Sequence, residues 1–139
     1  MFKQILVPVD LTDGHGRALD IAAALAGQDR GQITVLHVIE LIAGLSHEEG
    51  KEFYDRLEKK ARQHVAGLGA RLAAHKVACR TEVAFGNRAV EILRYAQQNG
   101  TDLIVLTSHR IDLQQGAAGL GTLSHKVGIL SPCPVLLVK

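Results

Sequence analysis

Residues 33–39 of the chain, Ile33-Thr34-Val35-Leu36-His37-Val38-Ile39, form an almost unbroken apolar run. Near-continuous apolar runs of this length are typical of β-strands that are buried on both faces. Four further runs of this kind, of which the one at 78–85 is weaker and more alternating, occupy residues 5–9, 78–85, 103–106 and 135–138. The sequence therefore predicts five strands in a sheet that is covered by helices on both faces.

Helical periodicity fills the intervals between these runs. Apolar residues recur every three or four positions over about residues 15–26, 53–72, 89–96 and 123–130. Ser46 and Glu49 have the spacing of a capping box, which predicts that the second and longest helix begins there. Asn99-Gly100 is typical of a helix end, and Pro132 follows the last helix.

The alternating order βαβαβαβαβ indicates parallel strands joined by right-handed crossovers. We predict an α/β fold with a doubly wound sheet, in a single domain over residues 1–139. The length of 139 residues and the apolar content of 47% fit one domain with a sizeable core. Pro8 removes a hydrogen-bond donor from a strand that is expected to be central, so we expect a local irregularity near the end of that strand.

Composition argues against several classes of protein. The formal net charge is +2 and the Lys and Arg residues are scattered, whereas a nucleic-acid-binding protein would carry a basic face. No apolar run in the sequence approaches the roughly 20 residues that span a bilayer. Cys79 and Cys133 lack the spacing of metal ligands, and a reducing compartment is the simplest explanation for them. We expect a cytoplasmic protein with no nucleic-acid or membrane partner.

In open α/β sheets, ligands bind beyond the carboxyl ends of the strands, where the strand order reverses. The residues at those ends are Asp10, His37, Val38, Gly86, Thr107 and Ser108. After the fourth strand, residues 107–124 contain Gly116, Gly119 and Gly121 and enter a helix at Thr122. Glycines let the backbone approach a phosphate closely, and a helix N-terminus offers free amides. The alternative is that the glycines only shape a loop and that Gly121-Thr122 only caps the helix.

Asp10 is a short carboxylate at the end of the first strand. It either accepts a hydrogen bond from a ribose hydroxyl or an adenine amine, or it caps, together with Thr12, a helix that begins near Gly14. The sequence contains no nucleophile elbow, no phosphate loop ending in Gly-Lys-Ser/Thr and no evident Ser–His–Asp set. We therefore expect no dedicated catalytic residues.

The seven histidines are divided into two groups. Four of them are expected near the carboxyl ends of the strands: His15, His37, His109 and His125. The other three are predicted to lie on a solvated face of the long helix: His47, His64 and His75. No local spacing among the first four supports a metal site, so we expect none.

Taken in order, these residues resemble the universal stress protein family. The similar segments run through the whole chain: Val7-Pro8-Val9-Asp10, Val35-Leu36-His37-Val38, Gly86-Asn87-Arg88-Ala89, Asp102-Leu103-Ile104-Val105, Gly121-Thr122-Leu123-Ser124 and Pro132-Cys133-Pro134-Val135. The resemblance implies the adenine nucleotide α-hydrolase-like fold with strand order 3-2-1-4-5, a regulatory role in the stress response, and homodimers. In one branch of the family it also implies ATP binding.

The ATP-binding branch carries Gly, two residues, Gly, nine residues, and then Gly followed by Ser or Thr. Here Thr107 and Arg110 stand in place of the first two glycines, and the ten residues Ile111–Leu120 lead to Gly121-Thr122. Thr107 places a Cβ where bare backbone would approach the phosphates. Arg110 either obstructs the pocket or pairs with phosphate directly.

By the family's pattern, Asp10 and the Val38 backbone hold adenosine. Ribose and phosphates are held, mainly through amides, by Thr107, Gly121, Thr122, Leu123 and Ser124. We expect the cofactor to be ATP or another adenine nucleotide, with Arg110 also in the site and at most weak hydrolysis of ATP. The alternative is a dimeric interaction module that binds a protein partner and no nucleotide. A homodimer is expected through the last strand, Val135–Val138, which is an apolar sheet edge.

Overall fold

The computed structural model of the protein describes residues 1–108 and 122–139. In those residues, five strands alternate with four helices. The strands are β1 (Gln4–Pro8), β2 (Gln32–Ile39), β3 (Ala78–Phe85), β4 (Leu103–Thr107) and β5 (Val135–Val138). The helices are α1 (Gly16–Gln28), α2 (Lys51–Ala74), α3 (Arg88–Gln98) and α4 (Leu123–Leu130). The strand pairs are parallel in the order β3-β2-β1-β4-β5, which confirms the predicted α/β fold and strand order.

Each face of the sheet has its own core, because successive side chains of a strand point to opposite faces. On one face, α1 and α2 cover a core that includes Ile5, Ile33 and Val105. On the other face, α3 and α4 cover a core that includes Leu6 and Leu36. Burial on both faces explains why the central strands are almost continuously apolar in sequence.

Pro8 is the last residue of β1, the central strand, which has β2 on one side and β4 on the other. The amide of Val9 donates to the Leu36 carbonyl of β2 at 2.9 Å. Since consecutive amides of a strand point to opposite sides, Pro8 is turned towards β4, to which it has no N–H to offer. The pairing of β1 with β4 ends earlier, at Leu6 and Ile104. The expected irregularity is therefore an incomplete ladder between β1 and β4 at the carboxyl edge.

The helix α2 begins later than the capping-box spacing predicts. The Glu49 amide does donate to Ser46 Oγ at 3.1 Å, but this bond closes a separate turn, and α2 starts at Lys51 after Gly50. Gly50 lies directly against Tyr54, since a Cβ at Gly50 would come within 2.9 Å of the Tyr54 ring. The predicted start is wrong because this close packing, rather than the local spacing, sets the first turn of the helix.

Tyr54 anchors the segment between β2 and α2. Its side chain is fully buried, and its hydroxyl accepts from the Ile42 amide at 2.9 Å and donates to the Leu45 carbonyl at 2.8 Å. Tyr54→Phe removes the partner of both backbone groups. We expect the variant to lose about 1–3 kcal/mol of the free energy of unfolding, measured by urea denaturation with circular dichroism.

Tyr95→Phe is the matched control for this prediction. The Tyr95 hydroxyl donates to Thr34 Oγ1 over a long 3.5 Å. A hydrogen bond of that length contributes little, so Tyr95→Phe should stay within about 0.5 kcal/mol of the wild type. Equal losses in the two tyrosine variants would contradict the anchoring role of Tyr54.

Candidate functional site

Three side chains join the carboxyl ends of β1 and β4. Asp10 lies two residues after β1, Thr107 is the last residue of β4, and His15 immediately precedes α1. The buried His15 ring bridges the other two, with Nε2 at 2.7 Å from Asp10 Oδ1 and Nδ1 at 3.0 Å from Thr107 Oγ1. Side chains therefore connect the two strands beyond the point where their backbone pairing ends.

Asp10 presents an ionised carboxylate at this edge. Burial raises its pKa, but hydrogen bonds from Thr12 and His15 outweigh burial and hold the pKa well below its ordinary value. The side-chain hydrogen bonds that the described residues make to Asp10 all use Oδ1, which accepts from the Thr12 amide at 2.9 Å, from the Thr12 hydroxyl and from His15. With Oδ2 outside these bonds and 40% of the side chain exposed, the carboxylate is accessible to a ligand.

Asp10 does not cap α1, so that alternative prediction is wrong. The helix begins at Gly16 with His15 at the N-cap position, and within the described residues no side-chain hydrogen bond caps it. Asp10 and Thr12 instead form a local turn, in which the carboxylate accepts from the amide two residues further on. This turn keeps the carboxylate at the end of the strand.

The backbone of Val38 is turned towards the same edge. The register of β1 with β2 ends at Leu36, so Val38 lies beyond the last pair. The Leu36 carbonyl accepts from Val9 on the β1 side, and the Ile39 carbonyl accepts from Gly86 on the β3 side. Because backbone groups alternate along a strand, the amide and carbonyl of Val38 point to the β1 side. The role of Val38 in holding adenine stays a prediction, and this orientation is compatible with it.

His37 supports this edge as a neutral imidazole. Burial lowers its pKa, and nearby Arg88 and His64 lower it further. These effects outweigh the Val9 carbonyl, which accepts from His37 Nδ1 at 2.9 Å, and the more distant charge of Asp10. The ring therefore ties β2 to the residue before Asp10 without adding charge to the site.

Two of the three histidines predicted on a solvated face of the long helix are placed differently. His47 precedes α2, and its ring stacks on Tyr54 and meets Phe85 edge-on, with ring centroids 5.8 and 4.9 Å away. His64 is on α2 but half-buried, and its Nε2 is buried without a hydrogen-bond partner in the part of the chain that is described. His75, just after α2, is exposed. The prediction is therefore wrong for His64, which is half-buried, whereas His47 is exposed as predicted but precedes the helix.

The N-terminus of α4 is capped by Thr122. Its hydroxyl accepts from the His125 amide at 3.4 Å, so the capping role considered from the sequence is present. The amides of Leu123 and Ser124 belong to the first turn of α4, where N–H groups have no partner inside the helix. Through its amides, this turn offers a place for an anion.

The structure brings Asp10 and Thr107, two of the predicted site residues, together through His15. Arg110 and Gly121 lie outside the described residues, and so do the predicted loop glycines and His109. Sequence reasoning missed the bridging role of His15, because Thr107 follows 92 positions later. The available signal was the position of His15 itself, five residues after Asp10 at the same edge.

Three further findings concern the described residues. Within residues 1–108 and 122–139, no three or more His, Cys, Asp or Glu side chains are grouped so that they could hold a metal ion. In the same ranges, no helix combines the length and the apolar character needed to cross a membrane. Cys79 and Cys133 are both free thiols.

Comparison with known proteins finds one family along the whole chain. The model of the universal stress protein family matches residues 1–139. Universal stress protein YxiE of Bacillus subtilis is 33% identical over 149 aligned positions, which cover 100% of both chains. A universal stress protein of Thermus aquaticus is 31% identical over 144 positions, again covering 100% of both.

A solved structure gives the same result for the fold. Universal stress protein UspA from Lactobacillus plantarum has a TM-score of 0.81 at 24% identity, covering 99% of this chain and 98% of that one. The shared architecture is the adenine nucleotide α-hydrolase-like fold, with five parallel strands in the order 3-2-1-4-5. The family resemblance found in the sequence is thus confirmed over its full length. The chain belongs to the universal stress protein family.

Proposed function

We propose that the chain is a regulatory domain that binds an adenine nucleotide at the carboxyl ends of β1 and β4. The observation that carries the proposal is the Asp10 carboxylate, which is ionised, oriented through Oδ1 and accessible at the protein surface. A carboxylate held in this way accepts hydrogen bonds from hydroxyl and amino groups and repels phosphate. It therefore suits the adenosine part of a nucleotide.

Val38 and α4 supply complementary groups. The Val38 amide and carbonyl, both turned to this edge, match the donor and acceptor pattern of an adenine ring. The first-turn amides of Leu123 and Ser124, after the Thr122 cap, favour a negatively charged group. We assign adenine to Val38 and phosphates to the start of α4, with Gly121 next to it in sequence.

Solved proteins of the same fold support this choice of ligand. One universal stress protein is described in complex with cAMP, and another, from Archaeoglobus fulgidus, in complex with dAMP. A family member from Arabidopsis thaliana is described with AMP bound. Their identities to this chain are 18%, 16% and 19%, so they support only that a protein of this fold can bind an adenine nucleotide.

Calorimetric titration with ATP, ADP and AMP tests the proposal. We expect saturable binding of at least one of them and weaker binding of the matching guanine nucleotide, because the Val38 backbone pairs with the adenine edge. If none of the three adenine nucleotides binds the folded protein, the proposal is overturned.

The second candidate function is a dimeric interaction module that binds no nucleotide. Exposed apolar side chains of α4 and β5 favour it: Ile129 is 71%, Leu130 65%, Leu136 38% and Leu137 39% exposed. Apolar surface of this kind is typical of protein–protein contacts. A cytoplasmic role in the stress response belongs to both candidates, and the titration separates them.

Arg110→Gly distinguishes the two interpretations of the altered phosphate loop. We expect it to change the affinity for ATP while leaving the affinity for adenosine unchanged, because adenosine has no phosphate for Arg110 to meet. A loss of roughly tenfold for ATP would show that Arg110 pairs with phosphate. A gain would show that Arg110 obstructs the pocket. Unchanged ATP affinity in calorimetry would contradict both interpretations.

A further inference from the structure

A polar cavity of about 210 Å³ lies at the amino ends of the strands, between the sheet and α3. This edge of the sheet is opposite to the edge that carries Asp10 and Val38. Polar side chains from β1, β2, β3 and the end of α3 line the cavity: Gln4, Gln32, Thr34, Arg80, Tyr95 and Asn99. We propose that it binds a small hydroxy acid, whose carboxylate is held by Arg80 and whose hydroxyls are held by the amide and hydroxyl side chains around it.

The alternation of the strands explains why this cavity is polar. On the face of the sheet that α3 covers, Leu6 and Leu36 belong to the buried core. Two residues closer to the amino ends of β1 and β2, the same face carries Gln4 and Thr34. Arg80 of β3 is in register with Thr34 and therefore lies beside it. The face that packs on α3 thus changes from apolar to polar along the strands.

These polar side chains have little to bind within the protein. The Tyr95 hydroxyl reaches Thr34 Oγ1 over 3.5 Å, which is too long for a strong hydrogen bond. Within residues 1–108 and 122–139, the side chains of Gln4, Gln32 and Arg80 make no hydrogen bond or ion pair. Since buried polar groups are normally hydrogen-bonded, the groups that face the cavity are available to a polar ligand.

The size of the cavity selects a small ligand. Pockets for drug-sized ligands measure roughly 300–1,000 Å³. The value of about 210 Å³ is below this range, so the cavity suits a molecule smaller than a nucleotide. The inference therefore goes beyond the proposed nucleotide function and does not depend on it.

Arg80 determines the charge of the ligand. Its guanidinium is a planar fork of donors that matches the two oxygens of a carboxylate. No Asp or Glu side chain is among the described residues that line the cavity, so an ammonium group would find no carboxylate there. A hydroxy acid therefore fits this lining better than an amino acid. Phosphate commonly binds where a helix begins, whereas α3 ends at this edge.

The end of α3 supplies an acceptor for a ligand hydroxyl. Asn99 Nδ2 donates to the Tyr95 carbonyl at 3.0 Å, which leaves Asn99 Oδ1 as the acceptor of that side chain. The Asn99 amide also donates to the Tyr95 carbonyl, and the Thr101 amide donates to the Ala96 carbonyl, both at 3.0 Å. Because these carbonyls of the last turn are hydrogen-bonded, the end of the helix presents less negative potential to a carboxylate.

An NMR titration with glycerate, a small acid with two hydroxyls, tests the inference. We expect saturable shifts of the amide signals of Thr34, Arg80 and Asn99, and unchanged signals for Asp10 and Val38. Glyceramide has the same shape without the negative charge, and serine has an ammonium group in place of one hydroxyl. Both should bind about tenfold or more weakly than glycerate, because each loses a charge-assisted contact or lacks a partner for its charge.

Arg80→Gln tests the contact with the carboxylate. We expect it to remove the preference for glycerate over glyceramide. Arg56→Gln is the matched control, since Arg56 is also exposed and makes no ion pair in the described part of the chain. It should keep the preference. Tyr95→Phe should weaken glycerate binding about threefold to tenfold through the loss of one neutral hydrogen bond. Circular dichroism confirms that each variant is folded.

Four results would overturn the inference. They are the absence of saturable glycerate shifts at the cavity, equal binding of glycerate and glyceramide, equal effects of Arg80→Gln and Arg56→Gln, and tighter binding of inorganic phosphate than of glycerate. The titration contains no nucleotide, so its failure leaves adenine-nucleotide binding untouched. Conversely, a chain that binds no adenine nucleotide is still expected to bind glycerate.

Discussion

Asp10→Ala is expected to weaken adenine-nucleotide binding by roughly tenfold or more. Loss of a hydrogen bond to a charged group costs about 1.5–3 kcal/mol, and each 1.4 kcal/mol corresponds to about a factor of ten in Kd. The substitution also removes the partner of His15 Nε2, so it disturbs Thr107 as well. Calorimetric titration with the nucleotide that wild type binds best measures the change.

Asp13→Ala is the matched control, because Asp13 is an exposed carboxylate in the same connection between β1 and α1. The net charge changes by the same amount in both variants, so a general effect of charge would weaken binding equally in both. Because only the Asp10 carboxylate is expected to contact the nucleotide, Asp13→Ala should bind it like the wild type. Equal affinity of wild type and Asp10→Ala for the nucleotide would show that the ligand lies elsewhere.

Leu136→Lys is expected to convert a homodimer into a monomer. β5 is at the edge of the sheet, and its Leu136 and Leu137 are exposed on opposite faces. Pairing with β5 of a second copy about a two-fold axis would satisfy the outer backbone groups and bury both side chains. A lysine at position 136 would bring one charge from each copy into that contact.

Light scattering measures this outcome directly. We expect the mass of two chains for the wild type and of one chain for Leu136→Lys that is folded by circular dichroism. Leu41→Lys is the matched control, since Leu41 is similarly exposed at 45% but follows β2, on the other side of the sheet. A wild-type monomer at micromolar concentration, or a Leu136→Lys dimer, would contradict the prediction.

Burial on both faces made the central strands predictable. β1, β2 and β4 are buried on both sides, so their residues read as apolar runs. β3 gave a weaker pattern because it is an edge strand whose residues are mostly half-buried. The order of the strands is not contained in such periodicity, and it was predicted from the family resemblance.

The details of the candidate site depend on contacts between distant parts of the chain. The start of α2 depends on how Gly50 packs against Tyr54, and the place of His47 depends on Phe85. The bridge from Asp10 through His15 to Thr107 requires β1 and β4 to be neighbours. Periodicity and motif spacing report local structure, so they do not predict contacts between residues that are far apart in the sequence.

The incomplete ladder at Pro8 has a consequence for the protein during its synthesis. The neighbouring strand β2 is complete once Ile39 has been made, whereas β4, the neighbour on the other side of β1, begins only at Leu103. At a rate of synthesis of roughly 5–20 residues per second, the β4-facing side of β1 stays unpaired for several seconds. During that time it can pair with an incorrect strand. Because Pro8 has no N–H on that side, the waiting edge offers an incorrect partner one hydrogen bond fewer. The missing donor that interrupts the finished ladder is thus expected also to weaken an incorrect pairing at the same position before β4 is made.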